Sequence, residues 1–197
     1  NASSAVYTKP LRVTDTTVIR AQSYRDGAVS SQSVSRNYVV AKPHDLPVVC
    51  LSAAPASLFS ESSGIYTNYS MRTEVPAHIE YYPEPGKAPA LDQNFALRIF
   101  GSFSRANAAK SFALFARSSH GPSSFACKLF DTQPYTEYDA FILRNGASET
   151  FVTKIVDVTL CSLVRDLTRL ATQDYRPCVV YINGVYWGIY FIQEKIN

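Results

Sequence analysis

Two apolar runs joined by Asn183-Gly184 constrain the fold of this chain most strongly. The runs lie within residues 177–194 and consist largely of β-branched and aromatic residues. Asn and Gly accept the positive φ that a two-residue type I′ turn requires, so we predict a β-hairpin. Neither run alternates with polar residues, which predicts that the hairpin lies centrally in a sheet with both faces covered. Glu194 stands out at the apolar end: it is either paired with a cation or metal, or a solvated strand end.

The composition favours a folded, soluble protein. The 197 residues include 46% hydrophobic and 13% aromatic residues, enough for one substantial domain or a domain with a partial second one. No apolar run approaches the roughly 20 residues that a membrane-spanning helix needs. The net charge of +3 is small and the basic residues are scattered, which argues against a nucleic-acid partner.

The cysteines and histidines give no metal-binding pattern. The four cysteines lie far apart in apolar runs without CxxC spacing, so we predict buried free thiols at Cys50, Cys127, Cys161 and Cys178. The three histidines are equally isolated, and their spacing reveals no partners for a ligand set: His44, His78 and His120. We therefore predict no metal site.

The first 42 residues predict a small β module of their own. Polar and apolar residues alternate in the segment of residues 16–24, and a second strand is predicted at residues 34–40. Asp26-Gly27 provides a turn signal between them. The polar stretch beginning at Lys42-Pro43 marks a junction to the main domain, which we expect to span residues 46–197.

The main domain is predicted to contain strands and one long helix. Strands are expected at residues 46–51, 75–82, 94–100, 110–117, 124–130 and 138–143, with a single helical turn at 55–59. Apolar residues then recur every three or four positions from Ser148 to Ala171, which predicts an amphipathic helix. We therefore predict an α+β fold: a mainly antiparallel sheet with this helix packed on one face, preceded by a partial β-sandwich.

Residues 97–111 carry the strongest chemical signal. They combine three cations, a glycine and two serines: Arg98, Arg105, Lys110, Gly101, Ser102 and Ser104. A phosphate group needs such a set, because glycine lets backbone N–H groups approach, hydroxyls donate hydrogen bonds and cations neutralise charge. The segment lacks the Gly-Lys-Ser/Thr ending of a Walker motif. The alternative is a basic loop between two strands without a ligand.

Several blocks resemble the CotH kinase family. Tyr181-Ile-Asn-Gly-Val-Tyr-Trp-Gly-Ile-Tyr-Phe-Ile-Gln-Glu-Lys-Ile-Asn197 resembles its NGxYWGxYxxxEKIN signature. Arg98-Ile-Phe-Gly-Ser-Phe-Ser-Arg105 and Lys110-Ser-Phe112 resemble its RIHGxxSR and KKSF blocks, and Leu143-Arg-Asn-Gly146 its LRNG block. In order, the resembling blocks cover residues 46–197.

The resemblance implies an atypical protein-kinase-like fold that uses ATP and Mg²⁺. It identifies Lys110 as the lysine that contacts the nucleotide phosphates and Glu194 as its ion-pair partner. The implied cofactor-binding set is Arg98, Gly101, Ser104, Arg105, Lys110 and Glu194. Phe100 and Ala108-Ala109 depart from the family pattern, where a polar and a second basic residue are usual.

The family's catalytic and metal-binding aspartates lie downstream of its EKIN block, whereas this chain stops at Asn197. We therefore expect an N-terminal fragment that carries part of the nucleotide pocket and is inactive alone, with catalytic residues unknown. Its expected partners are the missing C-terminal half and a protein substrate. The resemblance also implies a secreted or cell-surface bacterial protein.

A second resemblance concerns residues 1–42, which look like the latter half of the small β-sandwich at the C-terminus of chitobiase and β-hexosaminidase enzymes. It rests on Tyr7-Thr-Lys-Pro-Leu11, Thr17-Val-Ile-Arg-Ala21 and Asp26-Gly27 followed by Ser30-Ser31. The first half of that module is absent, so we expect a free strand edge that permits self-association.

Two alternatives to a kinase function remain open at the sequence level. The chain is either a non-catalytic surface or scaffold module, or a carbohydrate-binding module. The second would use exposed aromatic side chains such as Tyr66, Tyr69, Tyr81 and Tyr82.

Overall fold

The computed structural model describes residues 4–26, 31, 33–40, 44–84 and 86–196, and most of its regular structure is β-strand. In chain order the strands are β1 Thr17–Ala21, β2 Val34–Tyr38, β3 Val48–Ala53, β4 Val75–Tyr82, β5 Leu91–Phe100, β6 Ser111–Phe115, β7 Phe125–Ala126, β8 Glu137–Tyr138, β9 Ala140–Arg144, β10 Tyr175–Ile182 and β11 Val185–Glu194. The helices are α1 Pro55–Phe59 and α2 Val156–Leu167, with 3-10 turns at Tyr69–Met71, Phe103–Ala106 and Ala147–Glu149. Gly27, Ser30, Lys42-Pro43 and Asn197, which entered the sequence predictions, lie outside the described residues.

Within the described residues, seven strands form a closed barrel in the order β10-β11-β9-β6-β5-β4-β3. Neighbouring strands are antiparallel except β10 and β3, which pair in parallel from Val179↔Val48 to Ile182↔Leu51. The predicted α+β fold, an antiparallel sheet with one long helix packed on it, is therefore wrong. The pairing that closes the barrel joins strands about 130 residues apart in sequence, and no local pattern carries that information.

The predicted hairpin is confirmed. Asn183 and Gly184 have φ of 50° and 79°, as a type I′ turn requires, and Ile182 pairs with Val185 across the turn. Both strands of the hairpin are paired on both sides, β10 with β3 and β11 with β9. The end of β11 next to the turn is not covered, however, because Val185, Tyr186 and Ile189 are exposed, whereas Phe191 and Gln193 further along the strand are buried.

The barrel interior is filled by large side chains from alternate positions of its strands. Among the fully buried ones are Tyr81, Phe95, Phe112, Phe141 and Tyr190. The ring centroids of Phe125 and Phe141 lie 4.9 Å apart in an edge-to-face arrangement. A small barrel packed in this way completes its own core, so it needs no helix to cover that inner face.

The prediction of a long helix from Ser148 to Ala171 is wrong in extent. The 3-10 turn Ala147–Glu149 and the positive φ of Lys154 (63°) interrupt the first part, and α2 ends at Leu167. The three-to-four-residue apolar periodicity therefore corresponds to a helix only over α2. On either side of α2 the same pattern lies in loop residues.

The predicted packing of this helix is also wrong. Four of its apolar side chains are exposed: Val156, Leu160, Leu163 and Leu167. Val158 is buried, and polar contacts join the helix to the rest of the chain, through Arg144–Asp157, Ser162–Tyr175 and Arg165–Asp174. Periodicity predicts that a helix has an apolar face, but it does not determine which face meets the sheet.

The strands β1 and β2 form a separate two-stranded sheet, which lies against the outside of the barrel. Its main polar contact is from Arg36 and Asn37 to Glu80 of β4. A Cβ added at Gly184 would lie 3.1 Å from the Thr17 Cα, so glycine permits the hairpin turn to approach β1. The division at residues 1–42 and 46–197 stays a prediction, as does self-association through this sheet. Neither helix in the described part of the chain has the length and apolar composition needed to cross a bilayer.

Candidate functional site

The loop between β5 and β6, residues 101–110, carries most of the predicted site residues. Gly101 adopts φ of 116°, a conformation that other residues rarely adopt, and the chain then forms the 3-10 turn Phe103–Ala106. A Cβ added at Gly101 would lie 2.6 Å from the Ser104 Oγ. The glycine therefore allows both a sharp turn and a close approach of the Ser104 hydroxyl.

Lys110 ends this loop and is buried, with only 4% of its surface exposed. Its Nζ donates hydrogen bonds to the carbonyl oxygens of Arg105 at 2.6 Å and Asn107 at 3.0 Å. The same Nζ lies 4.3 Å from the ring centroid of Tyr69 and 5.4 Å from that of Tyr66. An ammonium has three N–H donors: two go to these carbonyls, and the third makes no hydrogen bond to a described residue.

Burial lowers the pKa of Lys110, because the charged form loses hydration and gains no opposite charge. The neighbouring Tyr66 is itself fixed by the Trp187 indole, whose Nε1 donates to the Tyr66 hydroxyl at 2.8 Å. Burial raises the pKa of Tyr66 to about 12, so its hydroxyl stays neutral beside the lysine. The aromatic wall beside Lys110 therefore carries no negative charge.

Arg105 lies next to Lys110 and is bonded to the backbone. Its Nε donates to the Ser102 carbonyl at 3.2 Å, and its Nη1 donates to the Tyr69 carbonyl at 3.3 Å. In the described part of the chain, neither Arg105 nor Lys110 forms an ion pair with a carboxylate. The loop thus holds two cations whose charges are not neutralised by an acidic side chain.

Arg98 does not join this group. Its neighbours Leu97 and Ile99 belong to the barrel core, so Arg98 projects from the outer face. There its Nη1 lies 3.6 Å from Glu74, and its guanidinium lies 4.6 Å from the centroid of the Phe115 ring. The prediction that both arginines lie on the same side as Lys110 is therefore wrong for Arg98.

Glu194 is not brought to Lys110 either. It lies at the end of β11, where its Oε2 accepts a hydrogen bond from the Asp174 backbone N–H at 3.4 Å. The Gln173 side chain donates to the Glu194 carbonyl oxygen at 2.7 Å. The predicted ion pair between Lys110 and Glu194 is wrong, because Glu194 ends its strand away from the 101–110 loop.

Asn145 is the residue of this site that the sequence interpretation missed, since it was taken only as a turn signal. It is 1% exposed, and its Oδ1 accepts from Ser111 Oγ at 2.7 Å and from the Ala147 N–H at 2.9 Å. Its Nδ2 donates to the Ala109 carbonyl oxygen. Asn145 therefore fixes the end of the loop directly beside Lys110. Its place in the Leu143-Arg-Asn-Gly146 block was the available signal.

The remaining predicted groups are placed as follows. The cysteines are all free, with Cys50 and Cys178 buried as predicted and Cys127 and Cys161 only half-buried. Of the tyrosines proposed to stack on sugars, Tyr81 is 1% exposed and lies in the core, and Tyr66 packs against the core beside Lys110. His78, in contrast to the prediction from spacing, lies close to two carboxylates.

Comparison with known proteins finds a family match over the part of the chain that contains this site. Residues 97–197 match the family model described as CotH kinase protein, a region that contains the 101–110 loop and the hairpin. A search of curated proteins found no match. Because the family match covers just over half of the residues, this chain belongs to the CotH kinase protein family.

Proposed function

We propose that this chain is the phosphate-binding part of a CotH-type kinase domain and holds the phosphate groups of ATP at the 101–110 loop. The observation that carries the proposal is the buried ammonium of Lys110, which has no carboxylate partner among the described residues. ATP is the cofactor that the family suggests, and its phosphates are the part of it that a cationic loop recognises.

Electrostatics favours an anion at this position. Burying an ammonium without an opposite charge costs free energy, and the lowered pKa of Lys110 reflects this cost. A bound phosphate would provide the missing charge to both Lys110 and Arg105. A phosphate oxygen would accept a hydrogen bond from the third N–H of Lys110. Charge-assisted hydrogen bonds of this kind are stronger than neutral ones.

The shape of the loop supports the same ligand. Gly101 has no side chain to obstruct a phosphate, and its φ of 116° turns the backbone at the start of the loop. The Ser104 hydroxyl lies beside it and can donate a hydrogen bond. The loop is held in this conformation without a ligand, by the hydrogen bonds of Asn145 and by those from Lys110 to the Arg105 and Asn107 carbonyl oxygens.

The residues around the loop do not fit Mg²⁺. That ion needs carboxylate or phosphate oxygens, and the described residues supply no carboxylate in contact with Lys110 or Arg105. We therefore propose that this chain binds ATP weakly, through charge and backbone contacts, and transfers no phosphoryl group. Catalysis would require carboxylates that hold the metal and orient the acceptor.

Isothermal titration of the chain with ATP, in the absence of Mg²⁺, tests the proposal. We expect dissociation in the range of about 0.1 to 1 mM, and a loss of about tenfold or more in Lys110→Ala. Lys87 serves as the matched control, because this exposed lysine already pairs with Glu84, so Lys87→Ala should bind ATP like the unchanged chain. Arg105→Gln is the second variant, since it removes a cation but leaves the Lys110 contacts.

The outcomes separate the alternatives. Absence of ATP binding by the unchanged chain would favour a non-catalytic scaffold. Equal ATP binding by the Lys110→Ala and Lys87→Ala variants would place the nucleotide elsewhere. Release of ADP by the unchanged chain with Mg²⁺, abolished in Lys110→Ala, would show that catalytic carboxylates are present after all.

A further inference from the structure

A second polar cluster lies on the outer face of the barrel, outside the region that matches the family. It consists of His78 and Glu80 on β4 and Asp92 on β5, and Glu80 pairs directly with Asp92 across the two strands. One ligand atom from each residue lies within 4.8 Å of the others. One imidazole and two carboxylates at this separation form a set of ligands suited to one metal ion.

The ring of His78 is positioned as a metal ligand. Its Nδ1 lies 3.0 Å from the Asn94 Oδ1, and an Nδ1–H that donates to this oxygen leaves Nε2 as the ligand atom. The Nε2 is buried and lies 3.0 Å from the Asp92 Oδ1. A contact from the second ring nitrogen, as here to Asn94, is typical of metal-binding histidines.

Glu80 is likewise oriented by its neighbours. It is fully buried, and its Oε2 accepts from the Asn37 backbone N–H at 2.7 Å and from the Asn37 Nδ2. Its Oε1 accepts from the Arg36 Nη1 at 2.8 Å and the Tyr82 hydroxyl at 3.3 Å. Asn37 therefore fixes the carboxylate by one oxygen, while the other is directed at the guanidinium of Arg36.

Arg36 supplies the positive charge that the two carboxylates need. Its Nη1 lies 2.8 Å from Glu80 and 2.7 Å from Asp92, and 41% of its side chain is exposed. An exposed arginine can swing into solvent, which would free one oxygen on each carboxylate. A cavity of about 220 Å³ adjoins the cluster at His78, and its lining includes Asn94, Ser52 and Ser35.

We propose that His78, Glu80 and Asp92 bind a divalent first-row transition-metal ion such as Zn²⁺ or Mn²⁺, in competition with the side chain of Arg36. An imidazole ligand favours these ions over Mg²⁺ and Ca²⁺, which prefer oxygen ligands only. Metal binding would replace the Arg36 contacts to Glu80 and Asp92, while the Asn37 contacts would still join β2 to Glu80.

Isothermal titration of the full chain with Zn²⁺, after removal of bound metal by a chelator, tests this site. We expect about one equivalent to bind, about tenfold or more weaker binding in His78→Ala, and tighter binding in Arg36→Gln. His120→Ala is the control, because His120 lines the same cavity but is not one of the three ligands. It should bind Zn²⁺ like the unchanged chain.

Asp92→Asn provides a second ligand variant of nearly unchanged shape, in case His78→Ala does not fold. Absence of Zn²⁺ binding by both the unchanged chain and Arg36→Gln would overturn the proposal and leave the cluster as an ion network that holds β2. Binding that persists in both His78→Ala and Asp92→Asn would overturn it too, because the ion would then lie elsewhere.

Discussion

Lys110, just before β6, and Glu194, at the end of β11, lie at opposite ends of the same barrel. Glu194 pairs with Phe141 and Phe141 pairs with Leu114, while Lys110 precedes Leu114 by four residues. Four residues correspond to about 13 Å along a strand, and β9 lies between β6 and β11, so the two side chains cannot form an ion pair. The lysine of the proposed phosphate site therefore works without this carboxylate.

This separation predicts that Glu194→Gln leaves ATP binding unchanged. Sites about 10 Å or more apart without shared partners usually act independently, so the dissociation constant should change by less than about twofold. Titration with ATP of Glu194→Gln, Lys110→Ala and the double variant measures this. A Glu194→Gln effect as large as that of Lys110→Ala would show that the two residues are coupled.

Gly101→Ala is expected to destabilise the fold by about 2 kcal/mol, because alanine at φ of 116° is strained and its Cβ would displace Ser104. Gly86→Ala is the matched control, since Gly86 also has positive φ but has open space around it. It should cost only about 1 kcal/mol. Urea unfolding of both variants compares them, and equal losses would refute the close packing of Ser104 on Gly101.

Glu80→Gln should destabilise the chain by about 3 kcal/mol, because it removes the charge of a fully buried carboxylate that pairs with Arg36. The control is Glu84→Gln, which removes a carboxylate exposed to solvent and paired with Lys87. That change should cost less than about 1 kcal/mol. Denaturant unfolding measures both, and a small effect at Glu80 would mean that β2 is not held to the barrel by this contact.

The buried thiols predict a loss of stability in alkali. Burial raises the pKa of Cys50, Cys127 and Cys178 from the ordinary value of 9.0 to about 12. Above pH 9 the unfolded chain loses these protons but the folded chain does not, so the free energy of unfolding falls as the pH rises from 9 towards 12.

Urea unfolding at pH 8 to 10.5, under reducing conditions, measures this decrease. In Cys178→Ala one proton fewer is released, so the slope should be shallower by up to about 1.4 kcal/mol per pH unit. A slope equal to that of the unchanged chain would show that Cys178 ionises as readily in the folded state as in the unfolded one.

Local sequence patterns predicted the elements that depend on local chemistry. The type I′ turn at Asn183-Gly184 is confirmed because its requirement for positive φ is met by these two residues alone. Long-range pairing was not predictable in the same way. Closure of the barrel depends on the pairing of β10 with β3. The sequence of a largely apolar strand does not determine which other strand it pairs with.

In the candidate site, too, the residues that are close in sequence were predicted together and the long-range contacts were not. Gly101, Ser104, Arg105 and Lys110 are close in sequence, and the structure brings them together within one loop. Glu194 was placed by analogy with a lysine–carboxylate pair, and its position depends on strand register, which the residues alone do not reveal. The His78 cluster was missed because its ligands come from two strands and meet only through their pairing.

The central claim is that the 101–110 loop holds the phosphates of ATP, and backbone amide NMR locates the nucleotide most directly. In a titration of ¹⁵N-labelled chain with ATP, we expect the largest shift changes at the amides of Gly101, Ser104, Arg105 and Lys110. Adenosine without phosphates should not reproduce them, and Lys110→Ala should reduce them. Shift changes confined to other parts of the barrel, or identical changes with adenosine, would contradict the proposed phosphate site.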